Sequence, residues 1–268
     1  LRRPNVKEQD EIAAAGEKHW ERMAREGCEF TRPWLNLDRA LVRQYARGEL
    51  THAPEFLAEM YPVGVLADVA DRDVLCLASG GGQQSAVFAL LGARVTVADL
   101  SESQLDGDRR AASHYGYQIT TVRADMRDLS MLDGKSFDLV YQAPSMAYVP
   151  DVRRVYAEVR RLLRHGGTYR VEYTNPAVEF VDCADWDGEG YRIARPYAER
   201  VRRRDDGVTE FRHYLSDIFN GLIEAGLSIQ QVEEAPHYLR QHADAPPGNW
   251  EHWLTYFAAF AVVAKAMR

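Results

Sequence analysis

The run Val74-Leu-Cys-Leu-Ala-Ser-Gly-Gly-Gly-Gln-Gln-Ser85 constrains the fold of this chain more than any other stretch. It passes from a short apolar segment, through three consecutive glycines, into a segment of helical composition. Glycine takes positive φ at little steric cost and lets a ligand press against the backbone. In α/β sheets, nucleotides bind at the carboxyl ends of strands, near the point where strand order reverses. A plain strand-to-helix turn also favours glycine, so the run needs support from elsewhere in the chain.

That support comes from the rhythm that follows. Short apolar runs at 74–78, 94–98, 118–123, 137–142 and 168–173 alternate with helical segments at 83–91, 102–115 and 152–164, the last stopped by Gly166 and Gly167. Alternation of this kind marks βαβ units and a parallel sheet. Right-handed crossovers stack the helices on both faces, giving a doubly wound, Rossmann-like α/β sheet. Residues 1–60 have the composition of an N-terminal helical cap, with one helix over 7–27 and a second in the segment after Asn36. The core spans 61–175. Residues 176–215 break the rhythm, and Asp206-Gly207 between two strand-like runs predicts a β-hairpin insertion that forms part of a substrate pocket. Residues 216–268 complete the sheet, with Ser216 capping a helix through Ala225 and strands at 227–233 and 254–264.

Two acids stand where ligand contacts are expected. Asp99 ends the second strand, where a carboxylate accepts both hydroxyl protons of a ribose, and Ser101 already serves as the cap of the next helix. Asp125 ends the third strand and suits an adenine amino group, with Met126 beside the ring. Taken in order, VLCLASGGGQQS, VTVADLSESQL, RADMRDL and FDLVYQAPSMAYVPD resemble the successive motifs of the class I S-adenosylmethionine (SAM) dependent methyltransferases. The resemblance covers about 74–173. It implies SAM as cofactor and S-adenosylhomocysteine (SAH) as product. It also implies that Ala78, Ser79, Gly80 and Gly82 line the methionine and ribose side, and that Asp99 holds the ribose. Leu100 would pack on the adenine, Asp125 and Met126 would frame its edge, and Gln142 would lie near the methionine amino group. Cys76 and Ala78 depart from the acid and glycine common in that strand-one motif.

The implied reaction is methyl transfer to a small-molecule acceptor by in-line displacement, which asks mainly for alignment. Tyr148, after the fourth strand, and His213, closing the insertion, are the candidate catalytic residues. Trp34, Met146, Tyr173, Asn175, Tyr214, His237 and Trp250 are candidates for the substrate side. No metal is expected, because His237, His242 and His252 lack a ligand spacing. The net charge of −7 disfavours nucleic acid, and the arginines at 200 and 202–204, with Asp205, Asp206 and Glu210 beside them, read as one solvated hairpin strand. No apolar run approaches the roughly 20 residues of a membrane span, so a cytoplasmic protein is the expectation. Two other functions fit the glycine motif: a non-catalytic SAM-binding homologue, and an NAD(P)-dependent oxidoreductase. Against the second, the chain has no Tyr-x-x-x-Lys and only four lysines. The sequence leaves oligomeric state open.

Overall fold

The computed structural model describes residues 6–54, 56–235, 245–256 and 259–268, with the side chains of 6–9, 250 and 251 outside the description. The strands are β1 (Asp73–Leu77), β2 (Arg94–Asp99), β3 (Ile119–Arg123), β4 (Phe137–Gln142), β5 (Leu163–Tyr173), β6 (Val201–Arg203), β7 (Thr209–Phe211), β8 (Leu227–Glu234) and β9 (Phe260–Ala266). The helices are α1 (Val6–Glu26), α2 (Arg39–Ala46), α3 (Gln84–Leu90), α4 (Glu102–Tyr115), α5 (Val152–Leu162), α6 (Leu215–Glu224) and α7 (Trp250–Tyr256).

Seven strands form one sheet in the order β3-β2-β1-β4-β5-β9-β8. Its first five strands run parallel, and β9 lies antiparallel to both neighbours. The chain winds outward from β1 to β3, then returns to place β4 on the other flank of β1. This reversal opens a crevice above the ends of β1 and β4. Side-chain alternation sorts β1 between two cores. Leu75 and Leu77 pack with Val155 and Val159 of α5 and Ile218 and Leu222 of α6. Val74 and Cys76 pack with Val87 and Phe88 of α3 and Val42 of α2. Such two-sided burial explains why the strands read as continuous apolar runs rather than alternating ones.

Local chemistry sets the helix starts. Asp38, Ser101 and Asp151 cap α2, α4 and α5 by accepting backbone N–H groups of Leu41, Gln104 and Arg153. Three boundaries differ from the sequence expectation. First, α5 ends at Leu162, ahead of the glycines. The carbonyls of Arg161 and Leu162 accept the N–H groups of Lys135 and Ser136, which draws Leu163 into pairing with Phe137. Gly166 and Gly167 then fall in a register shift inside β5, not at a helix stop. Second, α6 begins at Leu215 because Asp217 accepts the backbone N–H of Tyr214 at 3.0 Å, leaving Ser216 in the first turn. Third, the apolar run 254–264 divides into the end of α7 and the start of β9. Leu254 and Trp253 bury a helical face against Tyr61 and Ala235, and a short apolar run does not distinguish that from a buried strand. In the 176–215 stretch the hairpin is confined to β6 and β7, closed by Arg204 N–H to Val208 O at 2.8 Å.

Candidate active site

A cavity of about 920 Å³ lies above the carboxyl ends of β1, β2, β4 and β5. Its floor near β1 is the glycine loop, where Ala78, Gly80, Gly81 and Gly82 all hold positive φ. Ala78 thus adopts, at some strain, the conformation that glycine supplies freely. The loop is pressed from the protein side as well. A Cβ at Gly81 would stand 2.8 Å from the carbonyl oxygen of Thr31, and one at Gly82 would stand 2.5 Å from that of Gly107. The segment after α1 is laced to this loop: Gln83 Nε2 donates to the carbonyls of Glu29 and Arg32 at 2.9 and 3.0 Å, and Trp34 N–H donates to Gly82 O. Asp108 fixes the other side, accepting Ser85 Oγ at 2.5 Å and the Gly82 N–H, and burial raises its carboxyl to about 7. Among the loop residues expected at a cofactor, Ala78 and Gly80 reach the cavity surface, whereas Ser79 and Gly82 shape the turn from behind.

Asp99 reaches the cavity at the end of β2, beside Leu100. Its carboxylate accepts the N–H of Ser101 at 2.9 Å and those of Leu100 and Ser79, so it bridges the ends of β1 and β2. Burial nevertheless pushes it up to about 6, against the opposing pull of those backbone donors. Asp125 and Met126 line the cavity one strand further out. The Asp125 carboxylate is clamped by Arg127, whose Nε stands 2.9 Å from Oδ1 and Nη2 2.5 Å from Oδ2. Gln142 is fully buried and lies beneath the cavity surface. It donates to Ser145 Oγ at 2.9 Å and accepts from Tyr169 at 2.5 Å, so its amide supports the floor.

The roof is α1. Ile12, Gly16, His19, Trp20 and Met23 line the cavity at helical spacing, one face of the helix turned inward. The helix is held at two places. Glu21 accepts Ser101 Oγ at 2.8 Å, Ser103 N–H at 3.0 Å and the Ser103 hydroxyl. On the hairpin turn, Asp206 accepts from Arg22 at 3.0 Å and lies 3.1 Å from His19 Nδ1.

The residues expected on the acceptor side separate into two groups. Trp34, Met146, Tyr148, Tyr173 and His213 all line the cavity. Tyr148 meets Trp20 edge to face at 5.7 Å, and burial raises its phenol far above the ordinary range. Tyr173 shares a 2.6 Å hydroxyl contact with Tyr156 and stacks on Phe260. His213 Nε2 lies 3.0 Å from Met146 O and 2.9 Å from Val149 O. Carbonyls only accept, so Nε2 carries the proton and the ring pins the 146–148 turn. Burial lowers His213 to about 4, which leaves the imidazole neutral near pH 7. Asn175 and Tyr214 stand away from the cavity. Asn175 Oδ1 accepts Ala177 N–H at 3.0 Å, and Tyr214 stacks on Tyr197 at 4.7 Å. His237 and the side chain of Trp250 lie outside the described residues.

Four contributors escaped the sequence reading: Glu21, Gln83, Arg127 and Glu179. The hairpin arginines also turn out differently from a solvated face. Arg202 is 8% exposed, and both it and Arg204 line the cavity beside Glu210. Glu179 lies in the irregular stretch after β5, where no periodicity could single it out.

Known proteins resemble this chain in sequence and in fold. A family model described as "Methyltransferase domain" matches residues 75–171. An uncharacterized methyltransferase, YbaJ of Bacillus subtilis, is 31% identical over 234 residues, covering 81% of this chain and 88% of its own. A crystal structure of an S-adenosylmethionine dependent methyltransferase from Mesorhizobium loti superposes with a TM-score of 0.61 at 27% identity, covering 77% of this chain and 97% of that one. Geranyl diphosphate C-methyltransferase from Streptomyces coelicolor shares the fold, with a TM-score of 0.63 at 16% identity over 96% of this chain and 98% of that one. Its crystals contain S-adenosyl-L-homocysteine, geranyl diphosphate and Mg2+. The chain belongs to the class I SAM-dependent methyltransferases. It is a SAM-dependent enzyme on a Rossmann-like sheet. Among the described residues no helix is long and apolar enough to cross a membrane.

Proposed function

We propose that the protein methylates a small-molecule acceptor held above β4 and β5, by in-line displacement at the cofactor's methyl group. One observation carries the reading: a single roofed cavity joins Asp99 and Leu100 at one end to Tyr148 and Tyr173 at the other. The chain's own groups fit the cofactor. Asp99 offers a carboxylate at the ribose position, with Leu100 and Met126 for the adenine faces and Asp125 with its Arg127 clamp at the adenine edge. Ala78 and Gly80 leave the backbone open beside the methionine portion, while Ser79, Gly82 and Gln142 support the floor from beneath.

When bound, SAM supplies an electrophilic methyl on a sulfonium, and the protein's task is then one of placement. The roof of α1 excludes water, and the rings of Trp20 and Tyr148 offer faces to a developing or fixed cation. His213 acts here as a positioning residue, because its protonated nitrogen is spent on Met146 and Val149 and its basicity is low. Tyr148 stays a neutral phenol, a hydrogen-bond partner for the acceptor. Met146, Tyr173 and Trp34 supply apolar walls. The hairpin insertion and the N-terminal segment both line this cavity beyond the sheet, and so set the acceptor.

The direct test is isothermal titration with SAH and, separately, with NADH. Micromolar binding of SAH without binding of NADH supports the cofactor assignment; the opposite result would remove it. A screen of acceptors by SAH release then tests transfer, and Tyr148→Phe is expected to reduce turnover with cofactor affinity intact.

A further inference from the structure

The acceptor end of the cavity has an uneven charge inventory. Arg202 donates to Glu210 at 2.7 Å and to Asp182 at 2.6 Å. Arg204 donates to Glu210 at 3.0 Å and to Asp206 at 3.3 Å. Both guanidiniums are therefore neutralised by protein carboxylates, and an anionic ligand here would have to compete with them. Glu179 lines the same wall. Among the described residues, no hydrogen bond or ion pair engages its carboxyl. Arg212, a further cation close enough to affect it, is committed elsewhere: its Nη1 donates to the carbonyls of Pro196, Tyr197 and Glu199 at 2.8, 2.8 and 3.0 Å, and its guanidinium lies over the Phe180 ring. Trp20, Tyr148, Tyr173 and Trp253 line the same cavity, and Tyr148 is close enough to Glu179 to feel its charge.

A carboxyl without a partner, in a cavity with aromatic walls where the neighbouring Arg202 and Arg204 are already paired, is built to receive a positive charge. We propose that Glu179 is the specificity-determining residue for an amine-bearing methyl acceptor, pairing with its ammonium group while the aromatic walls take the apolar body. This rests on the methyltransferase reading above and narrows it to a substrate class. Carboxylate and phosphate acceptors are disfavoured, because they would come beside the Glu210 carboxylate while its partners Arg202 and Arg204 are already paired.

The proton inventory gives the proposal a distinctive signature. Burial raises Glu179 to about 8, with Glu210 on β7 pushing the same way and Arg202 on β6 and Arg212 beyond β7 opposing. At pH 7 the carboxyl therefore holds its proton while the cavity contains no cation. An arriving ammonium favours the ionised form, so binding releases that proton to solvent.

The test titrates SAH-loaded protein at pH 7 with 2-phenylethylamine and with 3-phenylpropionate, in two buffers of different ionisation heat. The amine is expected to bind with release of close to one proton, and the carboxylate at least about tenfold more weakly. E179Q is expected to keep its SAH affinity, which also reports an intact fold, and to lose both the proton release and about tenfold or more in amine affinity. The selectivity and proton release of the unaltered protein stand as the test should E179Q fail to fold. Equal or tighter binding of 3-phenylpropionate, absence of amine binding to SAH-loaded protein, or unchanged proton release in E179Q would each overturn the proposal. If the unaltered protein bound no SAH, the methyltransferase reading would fall with it; SAH binding without amine selectivity would sink the Glu179 assignment alone.

Discussion

Glu21 on α1 accepts the hydroxyl proton of Ser101 at 2.8 Å, so the cap of α4 is also the anchor of the roof helix. Ser101 in turn donates its N–H at 2.9 Å to Asp99, the carboxylate proposed to hold the ribose. Roof and cofactor carboxylate are thus joined through one serine. Removing the anchor in Glu21→Ala should weaken SAH binding by about 1–2 kcal/mol, the scale of charge-assisted bonds at a helix start. Amide exchange in α1 should rise in the same variant. Unchanged exchange there would show that the helix is held by its apolar face instead.

Asp99 gives cofactor binding a pH dependence of known sign. Its carboxyl, raised to about 6, must be ionised to accept two ribose hydroxyls. SAH affinity should therefore be level above pH 7 and fall as pH drops through 6, approaching tenfold per unit below it. Asp99→Asn should bind about 1–3 kcal/mol more weakly and lose this dependence. Affinity that stays flat from pH 5 to 8 in the unaltered protein would be incompatible with the ribose assignment.

His213 should be felt in stability. Its folded value near 4 lies below the ordinary 6.5, so between those limits the unfolded chain takes up a proton that the folded chain does not. Its contribution is complete above pH 6.5 and is lost as pH falls toward 4. His213→Ala removes the ring donor shared by the carbonyls of Met146 and Val149, which should cost about 1–3 kcal/mol at pH 7. Urea midpoints at pH 4.5 and 7 measure both effects, and the variant should show a smaller difference between the two than the parent.

The sheet was legible because its central strands β1 and β4 are buried on both faces and the starts of α2, α4 and α5 carry their own cap residues, as at Ser101 and Asp151. Asp99 could be placed for the same reason: the strand that ends in it is unmistakable. The reading failed where local pattern is shared by two structures. An apolar run such as Trp253-Leu254 suits a buried helix turn as well as a strand, and Gly166-Gly167 suits a strand bulge as well as a helix stop. Residues acting across long sequence distances were invisible for another reason. Nothing near Glu21, Gln83 or Glu179 in the sequence records that Ser101, the Glu29 carbonyl or the cavity wall will be its neighbour. His213 reaches the cavity, but its ring contacts two carbonyls more than sixty residues away, which its sequence neighbourhood does not record.

The two tethers of α1 meet different parts of the cavity rim, Glu21 at the start of α4 and Arg22 at the turn of the β6–β7 hairpin. The helix therefore ties together two regions far apart in the sequence, and lifting it from the cavity requires both sets of contacts to break.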